Sequence, residues 1–335
     1  MNILVTAPYT EATLKGLDPI GNIHFRPWKP HGRAYYAKEL IQLLQETGAD
    51  ALITEHDHVD AEVMNAAKLS FIGVCRGTPS NVDIAEATRL GIPVFNTPAR
   101  NAQAVAEMVA AGIIVFLRKM RESELWLKEG SWKADAHESY LNFRGHELCG
   151  RTVGIVGFGG VGRKVAHLLK QFSCNIQFFD PYLTEDPDPE YKRCTAEQLF
   201  STSDVVSIHL PATQETEKII SHELLGLMKS DAILVNSARA SVVDRDALYS
   251  VLKESRIAGA VLDVFWHEPP QASDYELIRL PNVYATPHIA GASYEVDHYG
   301  AVIMNEAVHE FFIRNNHSIR QLVNPSILSD KHFSS

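Results

Sequence analysis

The chain has little of what marks a secreted, membrane-bound or nucleic-acid-binding protein. Cysteine is scarce: Cys75, Cys149, Cys174 and Cys194 are the four in 335 residues, and none stands in a CxxC pair. No zinc cage and no disulfide framework is expected, and reduced thiols fit a cytoplasmic protein. Long apolar runs are missing as well. AAGIIVF (110–116) is far too short to span a bilayer. The opening MNILVTAPY reads as a strand and lacks the basic and apolar segments of a signal peptide. Basic charge is not concentrated: 31 Lys and Arg face 41 Asp and Glu, for a net charge of −10. That balance argues against a nucleic-acid groove or an anionic membrane surface as partner. No low-complexity tract and no repeat with a period of 20–50 residues is found.

What is present is an alternation of strand and helix signals, in a chain long enough for about two domains. In the first third the apolar runs NILVTA, IHFRP, ALIT, LSFIGV and IPVFN alternate with KELIQLLQETG, DAEVMNAAK and NVDIAEATRLG, which carry helical periodicity. This pattern argues for a parallel sheet covered by helices on both faces. One long helix, AQAVAEMVAAGIIVFLRKM (102–120), follows. Its Val105, Met108, Val109, Gly112, Ile113 and Phe116 share one face. A segment from Glu122 to Glu147 then intersperses Trp126, Trp132, Tyr140 and Phe143 among charges. Those aromatics either make a subunit contact or pack back on their own domain. A second series of six strands comes next: TVGIVG, NIQFFD, VVSIHL, AILVNSA, GAVLDVF and VYATPH. Six is the number in a full dinucleotide-binding fold.

The first strand of that series runs into Gly157-Phe158-Gly159-Gly160-Val161-Gly162, a GxGxxG sequence that opens the helix VGRKVAHLLKQF. Alone the motif is weak; between strand and helix it points to a dinucleotide. Gly157 allows the tight turn, Gly159 lets backbone approach a pyrophosphate, and Gly162 lets helix and strand pack closely. The helix N-terminus offers unpaired N–H groups and the positive end of its dipole. Asp180, at the end of the next strand, is placed to accept hydrogen bonds from ribose hydroxyls. Pro181 and Tyr182 follow, with no Arg positioned to neutralise a 2′-phosphate. The expected cofactor is therefore NAD rather than NADP.

Ligands of open α/β sheets bind beyond the carboxyl ends of the strands. His209, Arg239, Asp263 and His288 occupy such ends, and Glu268 follows shortly in DVFWHEPP. Hydride transfer to a carbonyl needs a proton donor and a cation that holds the oxygen and its neighbouring carboxylate. His288 suits the first task and Arg239 the second, and a carboxylate such as Glu268 beside the His stabilises its imidazolium. His209 reads as cofactor lining or as a satisfied strand-end histidine. His267 is a loop residue, and with no second His at helical spacing HEPP is not a metal motif; no metal is expected.

These residues resemble the D-isomer-specific 2-hydroxyacid dehydrogenases, most closely their phosphoglycerate-dehydrogenase-like branch. NVDIAEATRLGIPVFNTPARNAQAVAE, GRTVGIVGFGGVGRKVA, NSARASVVDRDAL, AVLDVFWHEPP and TPHIAGAS look like that family's signatures, in order along nearly the whole chain. The resemblance implies a catalytic Arg239, Glu268 and His288, with His288 giving the proton to the keto oxygen. It places cofactor contacts at Gly160, Val161, Asp180, Ser237, Ala238 and Asp263; Pro181 and His209 complete the expected lining. It also implies two doubly wound domains, a Rossmann NAD domain (102–292) inserted into a discontinuous flavodoxin-like substrate domain (1–101 and 293–335). Helices near 102–119 and 293–314 would bridge them as hinges around a substrate cleft. Family members are commonly dimers that clasp through the segment near 120–148.

In two respects the chain departs from the family. Where relatives carry a Gly-rich GxGxD loop, this chain has Cys75-Arg76-Gly77-Thr78-Pro79-Ser80. Gly77 keeps the backbone role toward a substrate carboxylate. Arg76 either adds a cationic contact for a further phosphate or carboxylate, or faces solvent. Control by an appended serine-binding domain, known in some long phosphoglycerate dehydrogenases, is not expected. Within the same scaffold two alternatives remain. One is a phosphite-type dehydrogenase; a formate enzyme is disfavoured because its relatives carry Gln where Glu268 stands. The other is an NAD(H)-sensing corepressor-like scaffold.

Overall fold

The computed structural model describes residues 1–183 and 189–329; of the tail assigned to the first domain, 330–335 lie outside the described residues. The chain forms two compact units. One is Met1–Asn101 together with the chain from Ser293 on, the other Ala102–Ala292.

The first unit is built on five parallel strands: β1 (Asn2–Val5), β2 (Asn22–Phe25), β3 (Ala51–Thr54), β4 (Ile72–Val74) and β5 (Val94–Asn96). Their order is β2-β1-β3-β4-β5, the flavodoxin-like winding. The three central strands are buried except at Asn2, which is why they read as continuous apolar runs rather than as alternation. Gly48 and Gly91 end their helices with positive φ, the conformation in which a C-terminal glycine caps without strain. The helix Glu295–Phe312 belongs to this unit. Met304, Ala307, Val308 and Phe311 enter its core beside Phe71 and Phe95, and the Phe95 and Phe311 rings lie 5.2 Å apart. Gly73 makes room for that helix, since a Cβ there would stand 2.7 Å from the Met304 sulfur. The Asn324 side chain then accepts the Val94 N–H at 2.9 Å, tying the tail to β5.

The second unit holds seven parallel strands: β6 (Thr152–Val156), β7 (Asn175–Phe179), β8 (Lys192–Arg193), β9 (Val205–Ile208), β10 (Ile233–Asn236), β11 (Gly259–Leu262) and β12 (Val283–Ala285). Their order is β12-β11-β10-β9-β6-β7-β8. This is the dinucleotide-binding winding, in which the sheet grows first one way from β6 and then the other. The six-strand expectation is corrected here. It lacked β8, two exposed charged residues that pair with Gln177 and Phe178 of β7. Without an apolar residue β8 leaves no periodic signal; backbone pairing alone makes it a strand.

The long helix is also corrected. It ends at Leu117, and Lys119, with φ of +50°, turns the chain into a second helix, Met120–Lys128. Gly112 lets the first helix lie close against β11, where a Cβ would meet Val261 at 2.8 Å. In the projecting segment Trp126 packs on Trp132 and Phe143, with centroids 6.1 and 5.3 Å away. Leu125, Leu127, Tyr140 and Leu141 remain exposed. No helix among the described residues is long and apolar enough to cross a membrane.

Candidate active site

The carboxyl ends of β10, β11 and β12 are adjacent, about 5 Å from strand to strand. The loops leaving them carry Arg239, then Asp263 and Glu268, then His288. His288 sits in a tight turn with φ of +53°, a conformation a non-glycine residue holds only when its surroundings enforce it. Asp263 is what enforces it. One carboxylate oxygen accepts the Thr286 hydroxyl at 2.6 Å and the Ile289 N–H at 2.9 Å, the other the Ala290 N–H at 2.8 Å. The buried Asp263 thus grips both sides of the turn.

Glu268 and His288 meet directly: His288 Nδ1 lies 2.7 Å from Glu268 Oε2. An ionised carboxylate only accepts, so Nδ1 carries the proton and Nε2 is left to the outside. The second Glu268 oxygen accepts the Phe265 N–H at 3.2 Å. Arg239 is exposed at the end of the β10 loop and donates to the Ala238 carbonyl at 2.6 Å. Asn236, which the sequence reading missed, shapes this loop: its amide donates to the Arg239 carbonyl (2.9 Å) and its oxygen accepts from Ala238 N–H (3.0 Å).

The glycine loop joins β6 to the helix Gly160–Gln171. Gly157 has φ of +91°, and a Cβ on it would press to 2.8 Å from the His209 carbonyl oxygen. Gly162 is as constrained, since a Cβ there would overlap the Gly157 carbonyl. Gly159 is the opposite case: nothing lies within 4 Å of where its Cβ would be, and no side chain caps the helix N-terminus there. The loop thus leaves an open face lined with N–H groups, where a pyrophosphate fits. Asp180 faces the loop from the end of β7 and accepts Phe158 N–H at 2.7 Å and Tyr182 N–H at 2.9 Å. Each of its oxygens keeps a further lone pair. Just after β10 the buried Ser237 hydroxyl has no hydrogen-bond partner. A buried hydroxyl without a partner is a group that a bound ligand could satisfy.

Val161 packs against the unit's core and Pro181 is exposed. His209 bonds Ser207 through its ring nitrogen at 2.9 Å, and burial pulls it down to about 3, so it stays neutral. One arginine stands near Asp180. Arg193 on β8 directs its guanidinium at the Asp180 and Leu183 carbonyls. The sequence reading missed it because it lies 13 residues beyond Asp180. A cavity of about 360 Å³ adjoins the same strand ends, lined by Val156, Phe179, Phe200, Leu210, Ile220 and Leu224.

Arg76 and Gly77 belong to the other unit, on the loop after β4. The Arg76 N–H is engaged by the Val74 carbonyl at 2.7 Å, and the Gly77 carbonyl accepts from Asn96 at 2.7 Å. Burial holds His56 below its ordinary value, with the charges of Arg76 and Arg100 adding to the effect against Glu55. The Cys75 N–H donates to the Thr54 carbonyl at 2.7 Å, which sets this loop against the end of β3. The neighbouring Cys75 is buried, which pushes its thiol up to about 12 and leaves it no nucleophile.

Comparison with known proteins places this arrangement. The sequence model described as "D-isomer specific 2-hydroxyacid dehydrogenase, NAD binding domain" matches residues 110–290. A Bacillus subtilis protein named "Putative 2-hydroxyacid dehydrogenase YoaD" is 50% identical over 330 residues, covering 98% of this chain and 96% of its own. A glyoxylate reductase of Korarchaeum cryptofilum is 41% identical over 262 residues, 77% of each chain. Among solved structures, a D-2-hydroxyisocaproate dehydrogenase at 24% identity shares the fold, with a TM-score of 0.80 over 97% of this chain and 100% of that one.

Proposed function

The chain belongs to the NAD-dependent D-isomer-specific 2-hydroxyacid dehydrogenases, and we propose that it interconverts a small D-2-hydroxy acid and its 2-keto acid through Arg239, Glu268 and His288. The observation that carries this reading is the 2.7 Å contact between His288 Nδ1 and Glu268 Oε2. It fixes the tautomer, leaves Nε2 available to a substrate, and sets a negative charge where imidazolium must be stabilised.

NAD(H) supplies or accepts the hydride. The unit Ala102–Ala292 would hold it: Gly157, Gly159, Gly160, Val161 and Gly162 at the pyrophosphate, Asp180 and Pro181 at the adenosine ribose, His209, Ser237, Ala238 and Asp263 along the remainder. The apolar cavity beneath Leu210 suits its flat adenine ring. The unit completed from both ends of the chain is then the substrate domain. In reduction His288 Nε2 delivers a proton to the 2-oxygen, and in oxidation it takes that proton back. Arg239 clamps the carboxylate and draws charge onto the carbonyl oxygen. The name of the glyoxylate reductase relative supports a short 2-keto acid. Arg76 and Gly77 are the residues through which a second anionic group, as in 3-phosphohydroxypyruvate, would be read. The exposed Leu125, Leu127, Tyr140 and Leu141 support self-association into a homodimer through the projecting segment.

The test follows NADH consumption against 3-phosphohydroxypyruvate, hydroxypyruvate, glyoxylate and branched-chain keto acids, with Arg76→Ala and His288→Ala alongside. Wild type should turn over at least one short keto acid, and His288→Ala should lose roughly 10²–10⁴-fold in kcat. Arg76→Ala should weaken only a doubly anionic substrate. Turnover by His288→Ala at the wild-type rate would remove the assignment.

A further inference from the structure

Glu268 sits on an awkward piece of chain for a catalytic partner. Val264 and Phe265 are buried and Trp266 packs on the same core, but His267, Glu268 and Pro269 form an exposed bulge before the helix Ala272–Ile278. The Glu268 side chain is itself 40% exposed. A carboxylate so placed has freedom to leave His288, since an exposed ion pair alone is worth little. The bulge has a second anchor. His267 Nδ1 lies 2.8 Å from Asp274 Oδ2, with the His267 side chain 45% exposed and that of Asp274 fully buried. The same Asp274 oxygen accepts the Gln271 N–H at 3.0 Å, so it is fixed to the helix start. Burial would raise Asp274, but these donors hold it below its ordinary value and keep it an acceptor. Among the described residues no other side-chain bond ties His267, Glu268 or Pro269 to a helix.

We propose that the His267–Asp274 pair is a latch that positions Glu268 against His288, making His267 a positioning residue for the dehydrogenase reaction. The inference rests on the functional reading above. The two imidazoles are used alike: each gives its Nδ1 proton to a carboxylate, one in the reacting pair and one in the brace behind it. His267 Nδ1 donates and the Asp274 carboxylate accepts, so the latch needs Asp274 ionised.

The test uses steady-state kinetics with hydroxypyruvate and glyoxylate as probe substrates. His267→Ala should lower kcat roughly 10-fold, the lower end of what removing a supporting partner costs. The KM for NADH should stay within about twofold. His267→Asn keeps an N–H donor near the Nδ1 position and should recover most of the loss. In a Glu268→Gln background His267→Ala should have almost no further effect, because it acts through Glu268. Wild-type kcat in His267→Ala, no recovery with Asn, or additive losses in the double variant would each overturn the latch. If Glu268→Gln alone behaves as wild type, the functional reading fails instead. Thermal melts of the half-exposed His267 variants separate loss of fold from loss of positioning.

Discussion

Burial of the His209 ring makes one contribution to acid stability predictable. His209 is pulled to about 3 by burial, against an ordinary 6.5. The unfolded chain takes up a proton below about 6.5 and the folded chain does not until near 3. The stability His209 contributes is therefore complete above 6.5 and is lost as the pH falls toward 3. His209→Gln should flatten the fall in unfolding free energy between pH 6.5 and 4 by about 2 kcal/mol, as read from urea melts across that range. Equal slopes for both proteins would mean that His209 is solvated. The meeting of Glu268 with His288 was legible in the sequence because each follows a strand that reads clearly. Asn236, Arg193 and Asp274 were not, because their parts depend on loop geometry and on partners 3, 13 and 7 residues away, respectively.

At the scale of elements, the turn after β12 is held by a residue from the strand beside it. Asp263 receives three hydrogen bonds from residues 286–290, so β11 and β12 share one rigid corner with His288 at its tip. Asp263→Asn keeps an acceptor but turns an amide toward one of these donors. It should cost about 1–3 kcal/mol in stability and roughly 10–100-fold in kcat, checked by thermal melts and by turnover of hydroxypyruvate. Unchanged kcat would show that His288 holds its turn unaided. The elements themselves were largely readable. Strands buried on both faces are unbroken apolar runs, and helices show one apolar face. The failures were local: β8 has no apolar residue, and the break at Lys119 follows a helix whose composition gives no stop signal.

At the scale of the molecule, the exposed apolar residues of the segment 120–142 are a cost in water unless covered. Trp126, Trp132 and Phe143 already satisfy one another, while Leu125, Leu127, Tyr140 and Leu141 have no such cover. The protein should run at twice its chain mass of 37.2 kDa in light scattering. Leu125→Glu with Leu141→Glu should return it to monomer, whereas a monomeric wild type would dismiss the dimer.

The discontinuous first unit imposes an order on synthesis. Its five strands leave the ribosome first, yet Met304, Ala307, Val308 and Phe311, which close one face of its core, come after the whole unit Ala102–Ala292. At the few to twenty residues per second of translation, those five strands wait roughly ten seconds or more with Phe71 and Phe95 uncovered. The inserted unit, continuous in sequence, can finish meanwhile. The first part of the chain to emerge is thus the last whose core can close.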